Sequence, residues 1–170
     1  MKKETIIVLD FGGQYNQLIA RRVRELNVYS EVHPYNMPID KIKEMAPKGI
    51  IFTGGPNSVY DPDSPHADPG IFTLGVPILG ICYGSQLMAQ MLGGLVTPAQ
   101  DDSAREFGKT RTFFDAECPL FRGLPEESVT WMSHGDYMAK APQGFSLAAH
   151  TDMCPTAAIC DARRGFYGVQ

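Results

Sequence analysis

Thr5-Ile6-Ile7-Val8-Leu9 is an unbroken apolar run rich in β-branched residues, the pattern of a strand covered on both faces. After it, Tyr15, Leu18, Ile19, Val23 and Leu26 recur at helical spacing, with Arg21, Arg22, Arg24 and Glu25 between them on the wet side. The alternation repeats. Tyr29–Val32 reads as a second strand, Pro38 opens a short helix through Ile39, Ile42 and Met45, and Gly49–Thr53 reads as a third strand. Val76–Leu79 runs as a fourth strand into Gly80-Ile81-Cys82, and Gln86, Leu87, Met88, Met91 and Leu92 then form a helix stopping at Gly93-Gly94. Such alternation predicts an α/β fold with a mostly parallel central sheet and flanking helices, because parallel neighbours must be joined by a crossover.

The second half differs. Lys109–Phe114, Ser128–Met132 and Phe145–Ala149 read as strands separated by Gly, Pro and Asp turns, and Ala157–Cys160 and Gly165–Val169 add two more. Antiparallel strands are expected here, and no linker or repeat divides them from the first half. At 170 residues the chain suits one domain with a core large enough to need no disulfide or metal staple. A formal charge of −4 without a Lys/Arg block argues against an electrostatic nucleic-acid binder, and no apolar run is long enough to span a bilayer. Met1-Lys2-Lys3-Glu4 leads straight into a strand rather than a signal sequence, so a cytoplasmic placement is expected. Cys82, Cys118, Cys154 and Cys160 form no C-x-x-C pair, and His33, His66, His134 and His150 do not restore ligand spacing, so no metal site is expected.

Gly80-Ile81-Cys82-Tyr83-Gly84 carries the most chemistry. A nucleophilic residue type flanked by glycines two positions either side, between a strand and a helix, is the pattern of a nucleophile elbow. The helix N-terminus is expected to favour thiolate over thiol, and thiolate is the attacking species. The alternative is a buried structural cysteine at a strand end. Thr53-Gly54-Gly55-Pro56 ends the preceding strand, at the edge where open α/β sheets place ligands. Its backbone N–H groups, with that of Tyr83, could form an oxyanion hole, or the segment is an ordinary strand-to-loop turn. Trp131-Met132-Ser133-His134-Gly135-Asp136 reads as a polar turn after a strand, suited to an amino acid's ammonium and carboxylate; His134 alone reads more readily as solvated or structural. Asp10 reads as a cap or turn residue.

Together these residues resemble the class I glutamine amidotransferases, and within them the amidotransferase domain of the guanosine monophosphate (GMP) synthetases. The likeness runs through Val8–Tyr15, Gln17–Glu25, Thr53–Val59, Gly80–Gln86, Arg105–Gly108 and Trp131–Asp136, and so covers nearly the whole chain. It implies a flavodoxin-like amidotransferase fold. It implies that Cys82 attacks the side-chain amide of glutamine, releasing ammonia and leaving a glutamyl thioester for water to hydrolyse. Gly55 and Tyr83 would supply the oxyanion hole, and Gln86, Ser133, Gly135 and Asp136 would hold the amino-acid end of glutamine. The implied partner is an ATP pyrophosphatase domain, fused or separate, which uses ATP and Mg2+ to aminate xanthosine monophosphate (XMP) to GMP; no cofactor is implied for residues 1–170 themselves.

In that family a Gly-Val-Gln like Gly168-Val169-Gln170 continues into Phe-His-Pro-Glu, which supplies the general base and its orienting acid. Those residues are not among the 170. Residues 1–170 are therefore expected to be a C-terminally incomplete glutaminase domain, without the pyrophosphatase and dimerisation domains and with impaired turnover. The other readings are a γ-glutamyl hydrolase-like thiol hydrolase and a non-catalytic glutamine-binding or regulatory module.

Overall fold

The structure, a computed structural model, describes residues 3–99 and 105–170; Met1 and Lys2 of the opening segment lie outside them. The α/β half contains β1 (Thr5–Asp10), α1 (Asn16–Glu25), β2 (Tyr29–Pro34), α2 (Ile39–Met45), β3 (Gly49–Phe52), β4 (Ile78–Ile81) and α3 (Tyr83–Met91). The remainder contains β5 (Leu95–Pro98), β6 (Glu106–Phe114), β7 (Glu127–His134), β8 (Asp136–Lys140), β9 (Ser146–Thr151), β10 (Ala158–Asp161) and β11 (Phe166–Val169). Nine strands form one sheet in the order β2-β1-β3-β4-β11-β10-β9-β6-β7, and β5 pairs with β8 in a separate ribbon.

The first five strands of that order run parallel. The rest are antiparallel. Strand β11, read from the sequence as part of the antiparallel half, belongs to both, pairing parallel with β4 and antiparallel with β10. Its alternation explains the seat. Phe166 enters the core built by Ile7, Leu9, Ile50, Phe52 and the α3 residues Leu87 and Met88, whereas Tyr167 and Val169 pack on a second cluster around Met132, Ala148, Ala158 and Cys160. A strand covered on both faces is what the centre of a parallel sheet requires.

Three further differences bear on the site. Strand β7 continues through His134, so the expected polar turn over 131–136 shrinks to Gly135. The ribbon strands β5 and β8 carry no continuous apolar run, and the sequence pattern does not reveal them. Helix α3 starts at Tyr83, directly after the cysteine, rather than at Gln86.

Candidate active site

Four chain segments converge at the carboxyl ends of the parallel strands: Phe11–Gly13 after β1, Thr53–Ser58 after β3, Cys82 after β4 and Gln170 after β11. Cys82 sits at φ 51°, ψ −113°, which is the geometry of the first central residue of a type II′ turn, where glycine is the rule. A non-glycine residue held there stores backbone strain. The neighbourhood enforces it: Cys82 N–H donates to the Val169 carbonyl at 2.8 Å, and its own carbonyl accepts from Gln86 N–H at 3.0 Å. The flanking glycines are there for space. A Cβ on Gly80 would lie 2.6 Å from the Gly84 carbonyl oxygen, and one on Gly84 would lie 2.4 Å from the Phe52 carbonyl oxygen. The elbow expected from the sequence is present.

A cavity of about 380 Å³ opens over the thiol. Cys82, Gly55, Tyr83 and Gln86 line it from the α/β half, and Ser133, Gly135 and Asp136 from the β7–β8 junction, so it gathers the seven residues expected to form the nucleophile, oxyanion hole and glutamine contacts. Gly55 can approach because it lacks a side chain: a Cβ would lie 2.4 Å from the Phe11 carbonyl oxygen. Thr53 braces that approach, its hydroxyl accepting from Phe11 N–H at 3.1 Å. Asp10 is a turn residue, accepting from Gly12 N–H at 2.7 Å.

The thiol is pulled in two directions. Burial pushes the Cys82 thiol above its ordinary value, outweighing the Tyr83 N–H and the Gln170 amide that pull it down, and the Asp136 carboxylate pushes it further up. The helix N-terminus alone therefore does not deliver a resting thiolate. Beside the Tyr83 N–H, Sγ has the Gln170 amide at 3.4 Å and the Ser133 carbonyl at 3.9 Å among the described residues, and none of these is a base. Asp136 accepts from the Ser58 hydroxyl at 2.5 Å and the Tyr60 hydroxyl at 3.0 Å. The Gln86 side-chain amide donates to the Asp136 backbone carbonyl at 3.1 Å and to Gln170 Oε1 at 3.0 Å, which ties α3 to the β7–β8 junction.

Sequence reasoning missed Ser58, Tyr60 and Gln170 as parts of the site, and it missed the pairing of His134 with Glu106. His134 is neither solvated nor free: its Nε2 lies 2.9 Å from Glu106 Oε2 and its Nδ1 3.0 Å from the Asp136 carbonyl. The signal for that pair is the strand register, in which Glu106 and His134 stand directly opposite each other. Glu106, His134 and Cys154 also bring potential metal-ligand atoms within 4.8 Å of one another, a grouping that linear spacing does not reveal. In this structure the His134 and Glu106 side chains bond each other.

The family model "Glutamine amidotransferase class-I" matches residues 7–170. The chain belongs to the class I glutamine amidotransferases. It is 58% identical over 170 residues to a GMP synthase [glutamine-hydrolyzing] of Clostridium botulinum and 59% identical over 170 residues to one of Acetivibrio thermocellus. Each match covers 100% of this chain and 33% of the relative, so the chain spans about a third of the length of the curated relatives it matches. The crystal structure of a GMP synthase component from Thermoplasma acidophilum superposes with a TM-score of 0.85 at 29% identity, over 100% of this chain and 84% of that one. A glutamine amidotransferase from Thermotoga maritima superposes with a TM-score of 0.75 at 18% identity, covering 100% and 76%, and shares the fold. No helix among the described residues is long and apolar enough to cross a membrane.

Proposed function

We propose that this chain is the glutaminase part of a GMP synthase, delivering ammonia in the cytoplasm to an ATP pyrophosphatase domain that aminates XMP. The observation that carries the reading is Cys82 held at positive φ beneath a cavity lined by Gly55 and the 133–136 junction. In the proposed reaction the Cys82 thiolate attacks the side-chain carbonyl carbon of glutamine. The negative charge that develops on the oxygen is met by the backbone N–H groups of Gly55 and Tyr83, which are fixed before the reaction and need no reorganisation. Collapse of the tetrahedral intermediate expels the amide nitrogen, which takes up a proton and leaves as ammonia. Water then cleaves the glutamyl thioester to glutamate and returns the thiol. The Asp136 carboxylate is suited to the substrate ammonium, a charge-assisted contact, and Gln86, Ser133 and Gly135 complete the rim.

Because burial holds the thiol protonated and no base adjoins Sγ among the described residues, the 170-residue chain by itself should turn glutamine over slowly. ATP and Mg2+ belong to the pyrophosphatase part in this proposal, and none of the residues placed in the cavity calls for either. The test is competition for alkylation of Cys82. Glutamine should protect the thiol and γ-glutamyl dipeptides should not; protection by the dipeptides alone would favour a γ-glutamyl hydrolase, and protection by neither would end the amide reading.

A further inference from the structure

We propose that Glu106 and His134 are positioning residues for glutamine, a buried pair bridged by one proton that fixes the shape of the 133–136 junction. The proposal rests on the reading above of that junction as the glutamine subsite. Both side chains are withdrawn from water, with Glu106 6% and His134 4% exposed. The hydrogen-bond inventory then assigns the protons. The Asp136 carbonyl can only accept, so His134 Nδ1 carries a hydrogen and donates across 3.0 Å. Glu106 Oε1 accepts from the Thr151 hydroxyl at 2.5 Å, and that hydroxyl oxygen itself accepts from Cys154 N–H at 2.8 Å and Met153 N–H at 3.2 Å. The remaining contact, Nε2 to Oε2 at 2.9 Å, joins a ring nitrogen to a carboxyl oxygen and needs one proton between them. Without it, two lone pairs would face each other in a dry site.

Two consequences follow for the reaction. Both ring nitrogens of His134 are spent, so His134 does not take the Cys82 proton, although it lines the same cavity. The pair instead links Thr151 at the end of β9, Glu106 at the start of β6 and the backbone of Asp136. That backbone carbonyl also receives the Gln86 amide, and Ser133, one residue before His134, presents its carbonyl to Sγ. A shift of the imidazole therefore displaces the groups proposed to hold glutamine, although neither Glu106 nor His134 hydrogen-bonds Sγ itself.

The experiment compares two alkylating agents on the purified chain: a diazo-ketone analogue of glutamine, which must bind first, and iodoacetamide, which need not. In Glu106→Ala the ring nitrogen and the Thr151 hydroxyl lose their partner, and we expect analogue labelling of Cys82 and its protection by glutamine to weaken roughly tenfold, with the iodoacetamide rate unchanged. In Glu106→Gln the amide can donate to Nε2 and accept from Thr151, so labelling and protection should return to those of the unsubstituted chain. Should Glu106→Ala not fold, His134→Asn, too short to span Glu106 and the Asp136 carbonyl, carries the same expectation. Equal slowing of both agents, unaltered glutamine protection in Glu106→Ala, or a Gln variant as impaired as the Ala variant would overturn the proposal. Absence of glutamine protection in the unsubstituted chain would overturn the glutamine reading itself, and this one with it.

Discussion

Replacing Cys82 by glycine should stabilise the chain relative to replacing it by alanine, the reverse of the usual order. At an ordinary position, glycine in place of alanine lowers stability by about 0.5–1 kcal/mol, because the unfolded chain gains freedom. At φ 51°, ψ −113°, alanine retains a backbone conformation that costs a side-chain-bearing residue about 1–3 kcal/mol, and glycine does not. The difference favours Cys82→Gly by about 1 kcal/mol, or roughly 2–4 °C in melting temperature for a domain of this size. Both variants lack the thiol, so its ionisation cancels. Urea titrations with a common slope give the comparison directly. A glycine variant less stable than the alanine variant by the ordinary margin would refute the claim that the elbow is strained.

Other outcomes are expected. Gly84→Ala drives a methyl against the Phe52 backbone and should cost about 2–3 kcal/mol or more by urea titration, since backbone at 2.4 Å cannot turn aside as a side chain can. Alkylation of Cys82 by iodoacetamide should accelerate with a midpoint above the ordinary thiol value, because the folded state holds the proton. Cys160, pushed up to about 12 by burial and by the Cys118 thiol beside it, should stay unmodified through the same range by peptide mapping. These raised thiols also set a stability trend. Their contribution is whole below the unfolded thiol value of about 8.5 and is lost as pH rises through the folded values, so urea midpoints should fall between about pH 8.5 and 12. Asp136→Asn keeps one oxygen for Ser58 or Tyr60 but removes the charge facing the proposed ammonium; protection of Cys82 by glutamine should weaken roughly ten- to a hundredfold, read by alkylation kinetics.

The parallel half was legible because its signals are local. Apolar runs such as Thr5–Leu9, helical spacing through Tyr15–Leu26 and the glycine pattern around Cys82 each lie within a few consecutive residues. The seat of β11 was not, since Gly165–Val169 looks like any short strand and its place beside β4 depends on which two cores Phe166 and Tyr167 reach. The site divides along the same line. The motifs place Cys82, Gly55, Tyr83, Gln86, Ser133, Gly135 and Asp136 around one cavity, whereas Ser58 with Asp136, Gln170 with Cys82 and Glu106 with His134 meet only through strand order and register, across 78, 88 and 28 positions of chain. The net balance at the Cys82 thiol was not legible for a related reason. A helix N-terminus can be read from the sequence, but the depth at which a fold sets a thiol cannot, and here burial outweighs the N–H groups.

The central claim is that Cys82 is the nucleophile of a glutamine site, and intact-mass spectrometry with a diazo-ketone analogue of glutamine addresses it most directly. The account predicts a single adduct on the chain, mapped to the peptide containing Cys82, abolished by Cys82→Ala and suppressed by excess glutamine. No adduct, an adduct on Cys118, Cys154 or Cys160, or labelling of Cys82 indifferent to glutamine would contradict it.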